Sequence, residues 1–242
     1  MKLNIIDISS LSQDYFDDLM VRMAHHSTAI EGNTLTQVET KSVLIDGFVP
    51  RAIDLRELHE VLNYKAFTKK LVECLKEHKL ITTDLIKAFH SVLCHEAIEA
   101  TPGEFKKIPN LIIGASFQTS PPYRVPLDLE EWRMNLECQL ANAKTNREII
   151  EAVCLQHFRF ERIHPFPDGN GRVGRALMVY TCLLHNVVPV VIPVNEKKRY
   201  INILNTEDLP GFVSFCLELQ QQEIERITIL QDDFDIITEV TI

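Results

Sequence analysis

IHPFPDGNGRVGR, residues 163–175, joins two apolar helical stretches, about 146–163 before it and about 170–185 after it. Three of the chain's eight glycines, Gly169, Gly171 and Gly174, fall inside this segment. Glycine lets backbone amides turn towards one point and lets a ligand approach without meeting a Cβ. The helix that follows adds unpaired N–H groups and a positive dipole end, so the segment is a ready anion cradle. Arg172 and Arg175 lie in the first turns of that helix, where each cation is misplaced by roughly 0.3 to 1 kcal/mol unless an anion is present. Two guanidinium forks and an amide nest match a polyphosphate. Asp168 is the kind of single carboxylate that holds Mg2+ beside phosphates. His164 has the ordinary pKa range to take a proton from an attacking hydroxyl. Together these groups predict a phosphoryl or nucleotidyl transfer site.

Outward from this loop the periodicity is helical almost everywhere, without an internal repeat. Helices are predicted over about 13–31, 36–45, 54–78, 83–98, 128–143, 146–163, 170–185, 195–204 and 209–233. Gly32 and Asn33 supply a stop for the first, and Thr36 with Glu39 resembles a capping box for the second. Thr82 or Thr83 is placed to cap the fourth. Between 104 and 126 the texture changes to a short β-branched run, a glycine and four prolines, the pattern of a hairpin. The fold expected is mainly α, a helical core with one β-hairpin flap. A single domain spans 1–242, divided into an N-terminal region 1–35, a core 36–235 and a tail 236–242.

Apolar residues make up 45% of the chain and the formal net charge is −9, so a nucleic-acid backbone is not an expected partner and any anion site must be local. Six cysteines, at 74, 94, 138, 154, 182 and 216, form no CxxC pair and read as free thiols of a reducing cytosol. No signal-peptide or membrane-spanning run is apparent, which predicts a cytoplasmic protein without a membrane partner. His25, His26 and His157 read as structural, and His90, Cys94 and His95 as a buried thiol beside ordinary histidines rather than a metal cluster. Tyr200 and Leu204 read as core.

His164, Pro165, Phe166, Asp168, Gly169, Asn170, Gly171, Arg172 and Arg175 fill the pattern HPFx(D/E)GNGRxxR, and the segment resembles the signature of the Fic family. LQHFRFERIHPF resembles that family's preceding helix, GEFKKIPNLIIGASFQTSPPYRVP its hairpin flap, and RYINIL its cover over the nucleotide base. The family pattern has two adjacent aromatics where this chain has Tyr200 and Ile201. The resemblance implies a protein AMP transferase that moves AMP from ATP to a Ser, Thr or Tyr hydroxyl of a target protein. It assigns the base to His164 and Mg2+ to Asp168. The anion hole falls to Gly169, Asn170 and Gly171, phosphate to Arg172, and the γ-phosphate to Arg175. Target docking by strand addition falls to the flap residues Ile108, Leu111, Ile112, Ile113 and Gly114.

The first helix ends HSTAIEGN, with Ser27 and Glu31 on one face and a carboxylate at the negative helix end. Pairing Glu31 with Arg175 would relieve both charge misfits. SxxxEG also resembles the family's inhibitory motif in its N-terminal placement, which implies that Ser27 and Glu31 restrain the enzyme in cis and leaves removal of AMP by Glu31 open. Transfer of another nucleotide or phosphate-linked group, a catalytically silent nucleotide-binding module, and a homodimer also stay open.

Overall fold

The computed structural model describes residues 11–111 and 117–230. Its helices are α1 (Gln13–Ile30), α2 (Gln37–Lys41), α3 (Leu55–Lys76), α4 (Thr83–Leu93), α5 (Val125–Asn142), α6 (Asn146–Ile163), α7 (Asn170–Leu184), α8 (Lys197–Thr206) and α9 (Leu209–Leu230). Their starts follow local capping chemistry. Ser12 accepts from Tyr15 N–H at the head of α1, and Thr82 from Leu85 N–H at the head of α4. Thr36–Glu39 and Thr145–Glu148 both close as capping boxes, which satisfies amides that would otherwise lack partners.

Two boundaries differ from the sequence expectation. α4 stops at Leu93, five residues short of 98, because Glu96 turns into the left-handed region and Asn63 Nδ2 takes up the carbonyls of Leu93 and His95. α5 begins at Val125 rather than 128, since Pro126 is tolerated in the first turn and a 3-10 turn at Pro122–Arg124 leads into it. α2 continues as a π turn over Ser42–Asp46 that ends at Gly47, φ 68°. Among the described residues there is no strand, so the expected β-hairpin flap is not found there. Its residues Ile112, Ile113 and Gly114 lie outside the described residues.

The core is organised around α6 and α7. α6 packs on α5, α7 and α9, and α7 also meets α1, α3 and α4. Buried side chains of α7 point both ways: Val173, Leu177, Tyr180 and Leu183 into one apolar cluster, Met178 and Cys182 into a second. Phe67, Phe89 and Tyr180 form an edge-to-face run with centroids 5.0 and 5.2 Å apart. Each such aromatic contributes roughly 1.5–3 kcal/mol by burial, with about 1 kcal/mol more from ring geometry. α7 is thus packed into apolar clusters on two sides. α1 is fastened to α9 by a buried network: Arg22 forks onto Glu223 at 2.7 and 2.8 Å, and Tyr15 OH donates to the same carboxylate at 2.6 Å.

Candidate active site

The loop between α6 and α7 is built by glycine conformation and by long-range anchors. His164 closes α6 in the left-handed region at φ 48°, a conformation that costs a residue with a Cβ about 1–2 kcal/mol. Its imidazole lies beside Glu161 in the last turn of α6. Gly169 caps α7 at φ 77° with no side-chain cap, and a Cβ there would collide with Cys94 Sγ. The first intrahelical donor of α7 is Val173 N–H, to Gly169 O. The amides of Asn170, Gly171 and Arg172 therefore face the loop as unpaired donors.

The side chain of Asn170 does not serve the cradle. It is 2% exposed, accepts from Phe166 N–H and donates to Phe166 O, so it cinches the loop and leaves only its backbone amide for an anion. Three further clamps reach the loop from far away in sequence. His90 accepts Gly103 N–H on Nδ1, carries its proton on Nε2 towards Asp168 O at 3.0 Å, and stacks on Phe166 at 3.8 Å. Burial holds His90 at about 4, so it stays neutral. Lys106 donates from its backbone to Pro165 O and from Nζ to Ile163 O, Asn110 Oδ1 and Thr119 Oγ1. Asn110 Nδ2 donates to Phe166 O. The described part of the predicted flap is thus a brace for the loop, while Ile108 and Leu111 are exposed.

Glu31 lies across the cradle. Its carboxylate accepts from Arg175 Nη2 at 2.6 Å, and it sits where a Cβ on Gly171 would stand. Arg175 also donates through Nε to Ser27 Oγ and through Nη2 to Ser27 O. The negative end of α1 and the positive end of α7 meet through these contacts, and each helix end receives the charge it favours. Burial pushes the Glu31 carboxyl up, but Arg175, with Arg172 and Lys197 behind it, outweighs this and holds it below the usual carboxylate range.

Arg172 points elsewhere, so the two arginines do not share one partner. It is 2% exposed, lies 3.7 Å from Glu60 and 3.6 Å from Asp168, and its Nε and Nη1 have no hydrogen-bond partner among the described residues. Asp168 keeps a 63% exposed side chain and accepts Gly169 N–H. Glu60 is tied to Asn33 Nδ2, just past α1.

A cavity of about 190 Å3 is lined by Glu31, Glu161, His164, Gly171, Arg175, Tyr200 and Leu204 among others. Burial first, and the Lys106 charge second, lower His164 to about 4. Its imidazole is neutral at pH 7, with Nδ1 3.3 Å from Glu161 O. Donation from Nδ1–H leaves Nε2 as an available base. Tyr200 is buried and bonded to His157 at 2.7 Å, so both belong to packing as expected, yet Tyr200 and Leu204 also wall the cavity. Arg162 pairs with Glu207 at its rim and stacks over Phe117.

Sequence reasoning named His164, Gly171, Arg175, Ser27 and Glu31, which the structure places around one another. It missed Glu60, His90, Lys106, Asn110 and Glu161, whose only sequence signal was a polar residue on an otherwise apolar helix face or in the loop before Pro121.

The class is a helical domain that presents an anion cradle at the start of one central helix and a carboxylate from another helix over it. Residues 80–182 match the Fic/DOC family model. It is 30% identical over 209 residues to protein adenylyltransferase fic-1 of Caenorhabditis elegans, covering 84% of this chain and 40% of that protein. It is 29% identical over 207 residues to protein adenylyltransferase Fic of Drosophila mojavensis, covering 83% and 40%. The chain spans about 40% of the length of these relatives. Its fold is similar to that of a Fic-domain signalling protein from Bacteroides thetaiotaomicron, with TM-score 0.82, 22% identity and 92% of each chain covered. It is also similar to C. elegans Fic-1, with TM-score 0.77, 27% identity, 93% of this chain and 66% of that one. No described helix is long and apolar enough to cross a membrane.

Proposed function

We propose that this chain transfers AMP from ATP to a Ser, Thr or Tyr hydroxyl of a target protein and that Glu31 restrains it in cis. The observation that carries the reading is the cradle at the head of α7, which is filled by the chain's own carboxylate at 2.6 Å from Arg175. An anion site blocked from within by a carboxylate supports a restrained enzyme over a packing contact. The names of the relatives supply the nature of the transferred group.

With Glu31 withdrawn, the amides of Asn170 to Arg172 and the guanidinium of Arg175 receive the triphosphate. Arg172, with two unpartnered nitrogens, contributes positive potential from behind. Among the described residues no cluster of three or more His, Cys, Asp or Glu could hold a metal by itself. Asp168, an exposed carboxylate at the cradle, fits a Mg2+ that completes its shell with phosphates and water. Bound there, the ion would neutralise phosphate charge. Neutral His164 takes the hydroxyl proton on Nε2, while the cradle and arginines stabilise charge on the phosphorus centre.

The test incubates wild type, Glu31→Gly and His164→Ala with ATP labelled at the α- or γ-phosphate. Label from the α position is expected, at least tenfold stronger in Glu31→Gly and absent in His164→Ala. Label from the γ position would indicate a kinase on this scaffold, and binding without transfer a silent module. Equal labelling by wild type and Glu31→Gly would remove the restraint.

A further inference from the structure

Glu161 has no role in the reaction as described so far. It sits in the last turn of α6, is 9% exposed, and its Oε1 has no hydrogen-bond partner among the described residues. A carboxyl buried in that way is costly to keep, and an apolar side chain would fill a core-facing helix position at less expense. The chain makes room for it, since a Cβ on Gly174 would stand 2.6 Å from Oε1. Its Oε2 lies 3.8 Å from Nδ1 of His164. The carboxyl lines the same cavity as Glu31, His164 and Arg175.

We propose that Glu161 is the positioning residue of His164: its carboxylate, on the Nδ1 side of the ring, offsets the positive charge that the imidazole acquires with the target's hydroxyl proton. The inference rests on the transfer reaction proposed above. In that step the target oxygen forms a bond to the α-phosphorus as the bond to the α,β-bridging oxygen breaks. Pyrophosphate leaves with that electron pair. The hydroxyl proton moves to Nε2 of His164 and passes to water once the product has gone. Nδ1–H stays directed at the backbone oxygen of Glu161, and the carboxylate keeps its charge throughout.

His164 has need of such a neighbour, because its surroundings disfavour the imidazolium: the ring is buried and Lys106 adds a like charge. A carboxylate behind the ring supplies the missing compensation, as in other histidine bases that are oriented and stabilised by an acid. Tautomer choice here already rests on the backbone oxygen, so the carboxylate acts through charge.

The groups facing Glu161 are Glu31 from α1, Arg175 from α7, Tyr200 from α8, and His157 and His164 from its own helix and loop. Burial raises its carboxyl to about 7, Arg175 opposes the rise and Glu31 adds to it. Glu161 therefore changes charge near neutrality, and withdrawal of Glu31 favours the ionised form that His164 needs.

The test uses the full chain carrying Glu31→Gly, in which transfer is read as self-labelling from α-labelled ATP between pH 5.5 and 9. Glu161→Gln keeps shape and removes charge, Glu161→Asp draws the charge back, and His164→Ala reports the base. Histidine-ring NMR on the nucleotide-free protein, with the His164 signal assigned by its absence in His164→Ala, reads the coupling without catalysis. In the Glu31→Gly protein, labelling should rise with pH across neutrality and the His164 ring resonances should move over the same range. Glu161→Gln should flatten both and lower transfer about tenfold at pH 8, with Glu161→Asp between. Affinity for Mg-ATP by calorimetry should stay within about twofold, because the change lies behind the base and not in the cradle. A Glu161→Gln protein with the same pH limb and the same His164 shifts overturns the inference. Labelling by His164→Ala equal to its parent would sink the transfer reading instead, and the NMR comparison would still decide whether Glu161 acts on His164.

Discussion

Arg175 carries a positive charge at the positive end of α7, and its surroundings show how that conflict is resolved. Ser27 Oγ, Ser27 O and the Glu31 carboxylate together take its donors at 2.9, 3.0 and 2.6 Å. Removal of Glu31 alone leaves both serine contacts in place. The Glu31 side chain is 41% exposed, so solvent screens the pair, and Glu31→Gly should cost about 1 kcal/mol rather than the larger penalty of a fully buried ion pair. The pair also has a defined pH dependence. The net effect of its surroundings is to depress the Glu31 carboxyl. A carboxyl lowered in the folded state stabilises above its unfolded pKa and loses that contribution only as pH falls through the lower, folded value. Glu31 is therefore ionised across the physiological range, and acidity does not release it. The ratio of self-labelling by wild type to that by Glu31→Gly should not rise as pH falls from 8 to 6. A ratio that approaches one at pH 6 would show that protonation opens the cradle.

At the scale of elements, the proposed restraint depends on how α1 is docked, because Glu31 reaches the cradle only while the helix end stays against α7. Most of that docking is apolar, through Tyr15, Leu19, Met20, Met23 and Ala24. It is fixed in register by the Tyr15–Arg22–Glu223 network on α9. Glu223→Ala leaves a buried guanidinium with only Asp18 and a buried phenol with no acceptor, at about 3 kcal/mol or more. The expected result is a lower melting temperature together with stronger self-labelling, since α1 is loosened while α6 and α7 keep their own packing. Leu136→Ala on α5, of similar cost, should lower the melting temperature and leave labelling unchanged. If Glu223→Ala behaved in the same way, α1 docking and restraint would be separable. The described part of the predicted flap is likewise an element with a second use. Through Lys106, Asn110 and Thr119 it holds the carbonyls of Ile163 and Phe166 in place, so it shapes the loop whether or not it also meets a target.

For the molecule as a whole, legibility in the sequence follows contact range. The α6–loop–α7 unit could be read because its logic is local: a glycine at positive φ, orphan amides and two arginines lie within a few residues of one another. The Glu31–Arg175 contact, 144 residues apart, was legible because two opposite charge misfits called for one another and because SxxxEG resembles the family's inhibitory motif. Glu60, His90, Lys106 and Asn110 were not legible. Each reaches the site from more than fifty residues away, and in isolation each looks like a solvated or structural side chain. The same distribution of charge governs the response to ligand. The chain carries −9 overall, yet Arg172 and Arg175 are buried at 2% and 7% exposure, and positive charge held inside the protein is stabilised by any anion that replaces Glu31. Binding to the native state alone raises stability by RT ln(1 + [L]/Kd), about 2.7 kcal/mol at a hundredfold excess over Kd. On the proposed reading, nucleotide bound to wild type displaces the resident carboxylate, and the loss of that contact is subtracted from the gain. In Glu31→Gly nothing is displaced. Mg-ATP at equal concentration should therefore raise the melting temperature of Glu31→Gly by several degrees more than that of wild type, even though the variant starts lower. Equal shifts in the two proteins would mean that Glu31 and the triphosphate do not compete for the head of α7.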